Sequence, residues 1–281
     1  MTAQGNSLLT LDSSGLALPP GGLLHGTLDG TWPEPLLWVS SQAVDEDTWS
    51  RVSSASGAVG LRAVVIRSRK GQRVEESWDG ALWPQGVTDP GAIDAGEQLA
   101  GWWTRYAAPE PGEDAAEDAE RVAQLAPFGR SWPGLCSALA PEADPEMRAA
   151  ELAAELLDFE DDDPEGEDGG RLALIPARRS ADVPAAIGWT GPLNYDNDAA
   201  PFSAVLRSWE DRFGIRVAGL EPDMLYVSVA APPTTMTEAL AVAAQHFAFC
   251  PDTVWQGYEE SLTEYAAVRV LGKRAWSFWW D

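Results

Sequence analysis

The side chains with the clearest capacity for chemistry lie near the C-terminus, at His246, Cys250 and Asp252. His246 and Cys250 are four residues apart, so on a helix the imidazole and the thiol share one face. Both could ligate zinc, or the imidazole could act as the base for a thiolate nucleophile. A metal site would need Asp252 and Glu259 to complete it, because the other histidine, His25, lies in a distant Gly-rich region. One hypothesis is therefore a hydrolase that uses His246 with Asp252 or Glu259, with or without a metal.

A structural role is the alternative for the same side chains. His246 would be a hydrogen-bonded histidine at a helix end, Cys250 a small buried hydrophobe, and Asp252 the N-cap of the next helix. The chain has no P-loop, no G-x-G-x-x-G after a strand, no G-x-S-x-G and no H-E-x-x-H motif. We therefore commit no residue to catalysis or to a metal, and we predict no cofactor.

A second group of candidate residues could bind a ligand. Trp189, Asn194 and Tyr195 lie in a loop that we predict between two helices, and binding residues often lie on loops held by a rigid scaffold. Trp189 could contact a ligand and Asn194 could supply hydrogen bonds. The alternative is a tight turn in which Trp189 fills the edge of the domain.

The last residues of the chain alternate in a way that predicts a strand. Trp276, Phe278 and Trp280 lie on one face, which we expect to pack against helices as core. Trp279 lies on the opposite face, beside the acidic chain end. An exposed tryptophan at this position could anchor a protein interface.

The elements around these residues predict a mixed α/β (α+β) fold, in which helices cover a central mixed sheet. Two strands, residues 215–218 and 225–230, are separated by a turn too short for a crossover helix, so we expect an antiparallel pair. Further strands are predicted at residues 36–39, 61–66 and 172–175. Helices are predicted at residues 45–52, 93–106, 145–157, 180–187 and 198–213.

Capping signals predict where the helices near the C-terminus begin and end. Thr235 and Glu238 form a capping box that opens a helix, and Pro251 ends it. We predict a second helix after Pro251, with Tyr258 among its inward-facing residues and Gly272 at its end. The pattern divides the chain into an N-terminal α/β region at 1–157, an acidic linker at 158–170 and a C-terminal domain at 171–281.

Charge restricts the class of partner. The net charge is −25, and residues 109–168 hold 19 acidic and only 3 basic residues. Binding to nucleic acid requires clustered lysine and arginine, so we predict no nucleic-acid partner. Anionic membranes are disfavoured for the same reason. A basic protein would be attracted to this field.

The compartment follows from cysteine use and hydropathy. Cys136 and Cys250 are too few for a disulfide framework. The sequence shows no secretory signal and no apolar run long enough to span a bilayer. We therefore expect a cytoplasmic protein with two free thiols.

Residues from about 172 to 281 resemble the bacterial domain of unknown function 4253 family, of the type found in actinobacteria. The resemblance rests on four stretches in the order in which that family has them: residues 188–194, 209–214, 246–252 and 276–281. It implies a soluble bacterial protein whose domain has no agreed reaction, so there are no catalytic residues to carry over. The high acidity, the many aromatic residues and the lack of a catalytic motif favour a non-catalytic protein-interaction module, of which a toxin-neutralising protein is one kind. A small-molecule sensor is a third option.

Overall fold

The computed structural model describes residues 6–69, 72–78, 80–109, 112, 114–158 and 170–281. In this part of the chain, a seven-stranded mixed sheet is covered by helices on both faces, which confirms the predicted mixed α/β class. The strands of this sheet are β1 (Gly21–Leu24), β4 (Leu37–Ser40), β5 (Arg62–Ile66), β6 (Arg171–Ile175), β7 (Arg216–Leu220), β8 (Met224–Ser228) and β9 (Ala275–Trp279). A separate small hairpin consists of β2 (Gly26–Thr27) and β3 (Gly30–Thr31).

Helices connect the strands. The α-helices are α1 (Glu46–Ser56), α2 (Val74–Ser77), α3 (Ala95–Tyr106), α4 (Ala115–Gln124), α5 (Pro145–Asp158), α6 (Val183–Ile187), α7 (Ala200–Phe213), α8 (Met236–Phe249), α9 (Asp252–Trp255) and α10 (Leu262–Tyr265). Short 3-10 segments lie at Ser7–Ser13, Gly57–Val59, Pro90–Ala92 and Ser180–Asp182, and a π-helical turn lies at Ala266–Val270. Every helix in the described ranges is too short or too polar to span a lipid bilayer.

The strand order across the sheet is β1-β4-β6-β5-β7-β8-β9. The pair β5–β7 is parallel, and the other neighbouring pairs are antiparallel, including the predicted pair β7–β8. The sheet therefore combines strands from before and after the predicted acidic linker. Residues 159–169 of that linker lie outside the described residues.

Local capping explains where several helices begin. The Asp45 carboxylate accepts a hydrogen bond from Thr48 N at 2.8 Å and opens α1. The Asp144 carboxylate accepts one from Glu146 N at 2.9 Å ahead of α5. The predicted capping box of α8 is confirmed. These bonds satisfy backbone N–H groups that have no partner inside the helix.

The core has two parts, one on each face of the sheet. Helices α3, α7 and α8 enclose the larger part, which contains most of the buried aromatic residues. Helices α1 and α5 cover the smaller part over β4 to β7. Since α5 packs mainly against β7 and β8, the corresponding face of β9 has less cover. On this less covered face of β9, Ser277 and Trp279 are exposed.

The continuous helix predicted after Pro251 is wrong. Helix α9 stops at Trp255, and a loop leads to α10, which Ser261 opens by accepting a hydrogen bond from Glu264 N at 3.2 Å. Tyr258, predicted to point inward, is 95% exposed. The break has a local cause, because Gly257 is a poor helix former and Ser261 supplies a new N-cap.

Candidate functional site

Helix α8 places His246 in an aromatic enclosure with no exposure to solvent. Its ring lies 4.5 Å from the ring of Trp276 and 4.9 Å from that of Phe278, both on β9. Its Nδ1 lies 3.1 Å from the hydroxyl of Tyr265, while Nε2 is buried without a hydrogen-bond partner in the described part of the chain. Burial lowers the pKa of His246 to about 3, so the imidazole is neutral near pH 7.

Cys250 follows α8 and is also fully buried. Its thiol donates a hydrogen bond to the carbonyl oxygen of Trp279 at 2.9 Å. Burial, with a further contribution from the charge of Asp252, raises the pKa of Cys250 well above its usual range. The thiol is therefore protonated near pH 7, whereas a nucleophilic cysteine requires the thiolate.

Asp252 connects three segments of the chain. Its carboxylate accepts hydrogen bonds from the hydroxyl of Tyr195 at 2.6 Å, from the side-chain amide of Gln256 at 2.9 Å and from Asp281 N at 3.3 Å. The expectation that Asp252 is the N-cap of the next helix is wrong, since Pro251 holds that position. The carboxylate oxygens are instead engaged by the loop before α7 and by the chain end.

The three loop residues proposed as ligand contacts make contacts within the chain. The Trp189 indole donates to the carbonyl oxygen of Glu221 at 2.9 Å, and its ring packs against Trp280. Asn194 donates through its side-chain amide to the carbonyl oxygen of Asp281. Together with Tyr195, these residues attach the loop to the end of the chain.

The described residues do not bring His246 and the candidate carboxylates together. Glu259 is largely buried and forms an ion pair with Arg269, with 2.7 Å between the carboxylate and Nε. Asp252 lies near Cys250, but its hydrogen bonds go to other groups. Within the described ranges, no group of three His, Cys, Asp or Glu side chains is placed to hold a metal ion.

Replacing Asp252 with alanine should lower the free energy of unfolding by about 1–3 kcal/mol, because the hydroxyl of the half-buried Tyr195 loses its acceptor. Urea denaturation of purified protein measures this change. The matched control is Glu155→Ala, an exposed helical position, for which we expect a change within about 0.5 kcal/mol. Equal effects of the two substitutions would contradict the structural role of Asp252.

Trp279, with 37% of its surface exposed, and Asn194 are the proposed binding residues that remain accessible, but the Asn194 side-chain amide already donates to the carbonyl oxygen of Asp281. It lies opposite Met224 in the β8–β9 pair, and Tyr226 lies opposite Ser277 on the same face. Asp223 lies beside Trp280, whose backbone N–H donates to its carbonyl oxygen at 3.1 Å. The pairing with β8 brings these neighbours to Trp279. The sequence analysis missed them because it did not place β9 next to β8.

Strand β9 is an edge of the sheet, with no neighbour on its outer side among the described strands. Val229 N donates to Arg274 O, and Trp280 N donates to Asp223 O. Since hydrogen-bonded and non-hydrogen-bonded residues alternate in an antiparallel pair, Ser277 directs its backbone N–H and C=O away from β8. Such an edge can pair with a strand of another protein.

Comparison with known proteins gives one match. Searches of curated proteins and of solved structures return nothing that matches the chain. A family model matches the part of the chain that contains His246, the loop before α7 and β9. Residues 171–281, about two fifths of the chain, match the family described as Domain of unknown function (DUF4253), which confirms for this segment the resemblance drawn from its motifs.

Proposed function

We propose that the protein is a non-catalytic protein-interaction module that binds a basic partner through the edge of its sheet. The observation that supports this most is the contrast between Trp279 and the other candidate residues. His246, Cys250 and Asp252 are buried and engaged within the chain, whereas Trp279 is exposed on an edge strand. Tryptophan is among the residues that most often dominate binding energy at protein interfaces.

The proposed contact surface, called here the Trp279 edge, consists of Trp279, Ser277, Met224 and Tyr226 with Asp223 beside them. Met224 and Tyr226 are half-buried, so this face presents apolar surface next to exposed backbone hydrogen-bonding groups. The partner would pack an apolar groove on Trp279 and add backbone hydrogen bonds at Ser277.

Charge favours a basic partner at this surface. Asp223 precedes Met224, which pairs with Trp279, and the terminal residue Asp281 follows two residues after that tryptophan. The Asp223 carboxylate lies 3.5 Å from Nε of Arg69, so the attraction for a basic partner comes mainly from Asp281 and from the net charge of −25. Opposite charges at the rim of an interface mainly accelerate association and select the partner. A basic toxin in the cytoplasm, which this protein would neutralise by covering it, is one partner of this kind. Nucleic acid is not expected to bind.

The hydrolase alternative has weaker support. It requires His246 to exchange a proton near neutral pH and to work with Asp252 or Glu259. Burial holds the pKa of His246 near 3, and both carboxylates bond to other groups. We therefore favour the interaction module.

Capture from native lysate with tagged full-length protein tests the Trp279 edge. We expect a stoichiometric basic protein with the unaltered chain, and at least about tenfold weaker binding with Trp279→Ala, because loss of an anchor tryptophan costs about 2 kcal/mol or more. Tyr258→Ala is the matched control, since Tyr258 is a more exposed aromatic residue that lies in a loop and not on the sheet edge. Recovery of no stoichiometric partner, or equal recovery with Trp279→Ala, would refute the proposal.

A further inference from the structure

A cleft of about 640 Å³ opens at one end of the central strands. Leu36, just before β4, lines it, as do Gly60, shortly before β5, and Pro176, just after β6. Because β6 runs antiparallel to β4 and β5, these three positions lie at the same end of the sheet. The volume lies within the range of small-molecule sites, roughly 300–1,000 Å³.

The cleft and the Trp279 edge lie at opposite ends of the sheet. Strand β7 runs parallel to β5, β8 runs antiparallel to β7, and β9 runs antiparallel to β8. The start of β9 therefore lies at the same end as the cleft, and Trp279 lies at the other end. A ligand in the cleft is independent of the proposed protein partner.

The walls of the cleft combine apolar and polar side chains, and prolines stiffen part of them. They include Trp32 and Leu36 together with four prolines, Pro35, Pro84, Pro90 and Pro176. The ring of proline fixes φ, so these segments lose little conformational freedom when a ligand binds. Such walls suit the apolar body of a small molecule.

Two of the charged groups in the cleft neutralise each other. Arg207 on α7 forms an ion pair with Asp182, and its Nη2 lies 2.9 Å from Oδ2 of the carboxylate. This pair also joins α7 to the segment ahead of α6. It therefore contributes shape to the cleft and little net charge.

Three other charged residues of the cleft are available to a ligand. Arg178 and Glu34 are exposed, and their side chains have no hydrogen-bond or ion-pair partner in the described ranges. Asp89 uses Oδ1 to accept a hydrogen bond from Gly91 N at 2.9 Å, which leaves Oδ2. The two carboxylates would repel a dianion such as a phosphate ester, and a simple amine would leave Arg178 without a partner.

We propose that this cleft binds a small zwitterion with an apolar body, of the chemical class of amino acids and short peptides. The guanidinium of Arg178 pairs with the ligand carboxylate, a geometry that permits two parallel hydrogen bonds. Glu34 or Asp89 pairs with the ligand ammonium. Burial of the apolar body supplies most of the affinity, because an exposed ion pair changes the affinity by only about fivefold.

Calorimetric titration of the full chain tests the proposal with L-phenylalanine and with the dipeptide L-alanyl-L-phenylalanine. We expect saturable binding of at least one of them, and the tighter ligand identifies the source as free amino acid or peptide. 3-Phenylpropionate lacks the ammonium and phenethylamine lacks the carboxylate, so both should bind at least about fivefold more weakly, a loss of about 1 kcal/mol.

Variants locate the binding. Arg178→Ala should weaken binding of the zwitterion by about fivefold or more, whereas Arg274→Ala, an exposed arginine at the start of β9, should leave it unchanged. Circular dichroism checks that both surface variants are folded. Absence of saturable binding of either zwitterion up to about 10 mM, or equal affinity of Arg178→Ala and the unaltered chain, would overturn the proposal.

Discussion

Replacing Trp280 with alanine will lower the free energy of unfolding by about 3–5 kcal/mol, the usual cost of deleting a large aromatic side chain from a core. Trp280 is 2% exposed. Its ring lies 5.4 Å from the ring of Trp189, 5.5 Å from that of Phe249 and 5.9 Å from that of Phe202. The substitution would leave a cavity where the chain end meets α7 and α8. Urea denaturation followed by tryptophan fluorescence measures the change.

Its neighbour Trp279 is the matched control. Trp279→Ala should cost no more than about 1.5 kcal/mol, because the vacated space opens to solvent and leaves no cavity. The two variants remove the same side chain one residue apart, so composition and charge are identical. Equal losses of stability would contradict the alternation of buried and exposed faces on β9.

Acidification will destabilise the protein through His246. The unfolded chain protonates this imidazole near pH 6.5, whereas burial holds the pKa in the folded protein near 3. The unfolded state therefore binds more protons below about pH 6.5, and stability falls as the pH drops from there towards the folded pKa. Between about pH 7.5 and about pH 5.5, this group alone should remove about 1.4 kcal/mol. Urea denaturation at the two pH values measures the loss.

The second histidine of the chain supplies the control for this pH effect. The component due to His246 should disappear in His246→Gln and persist in His25→Gln. Most carboxylates are ionised in both states above about pH 5.5, so they interfere little in this window. Persistence of the full pH dependence in His246→Gln would show that another group causes it.

Local signals predicted much of the fold. The capping box of α8 depends on residues close in sequence and is confirmed, and the aspartate caps of α1 and α5 and the apolar face of α7 have equally local causes. The alternation in β9 also gave the right buried face, with Trp276, Phe278 and Trp280 in the core.

The parts that sequence reasoning missed depend on contacts between distant segments. Strand β1 lies in a Gly-rich stretch with little strand propensity, and its pairing with β4 defines it. Nothing local predicts that β5 lies parallel to β7. Tyr258 shows the reverse error, since an apparent helical period continues across Gly257 in the sequence, although helix α9 has already ended at Trp255.

In the candidate site, too, local features could be predicted from the sequence, whereas contacts between distant segments could not. Helical spacing placed His246 and Cys250 one turn apart, but Cys250 lies just past the end of α8, and the spacing gave no measure of the burial of either side chain. His246 is buried because its ring packs against Trp276 and Phe278, which lie about thirty residues further along the chain. These contacts depend on the pairing of β9 with β8 in the sheet. The cleft is likewise lined by segments near Glu34, Asp89 and Arg178, which are far apart in the sequence. They come together only in the folded sheet.

The protonation of His246 tests most directly whether the C-terminal side chains are core rather than catalytic machinery. With two histidines in the chain, ¹⁵N-edited NMR of the imidazoles gives two sets of signals, which His25→Gln assigns. We predict that the His246 ring stays neutral from about pH 8 down to about pH 5, as its pKa near 3 requires. Uptake of a proton by His246 within that range would place the ring in contact with water and would support the hydrolase instead.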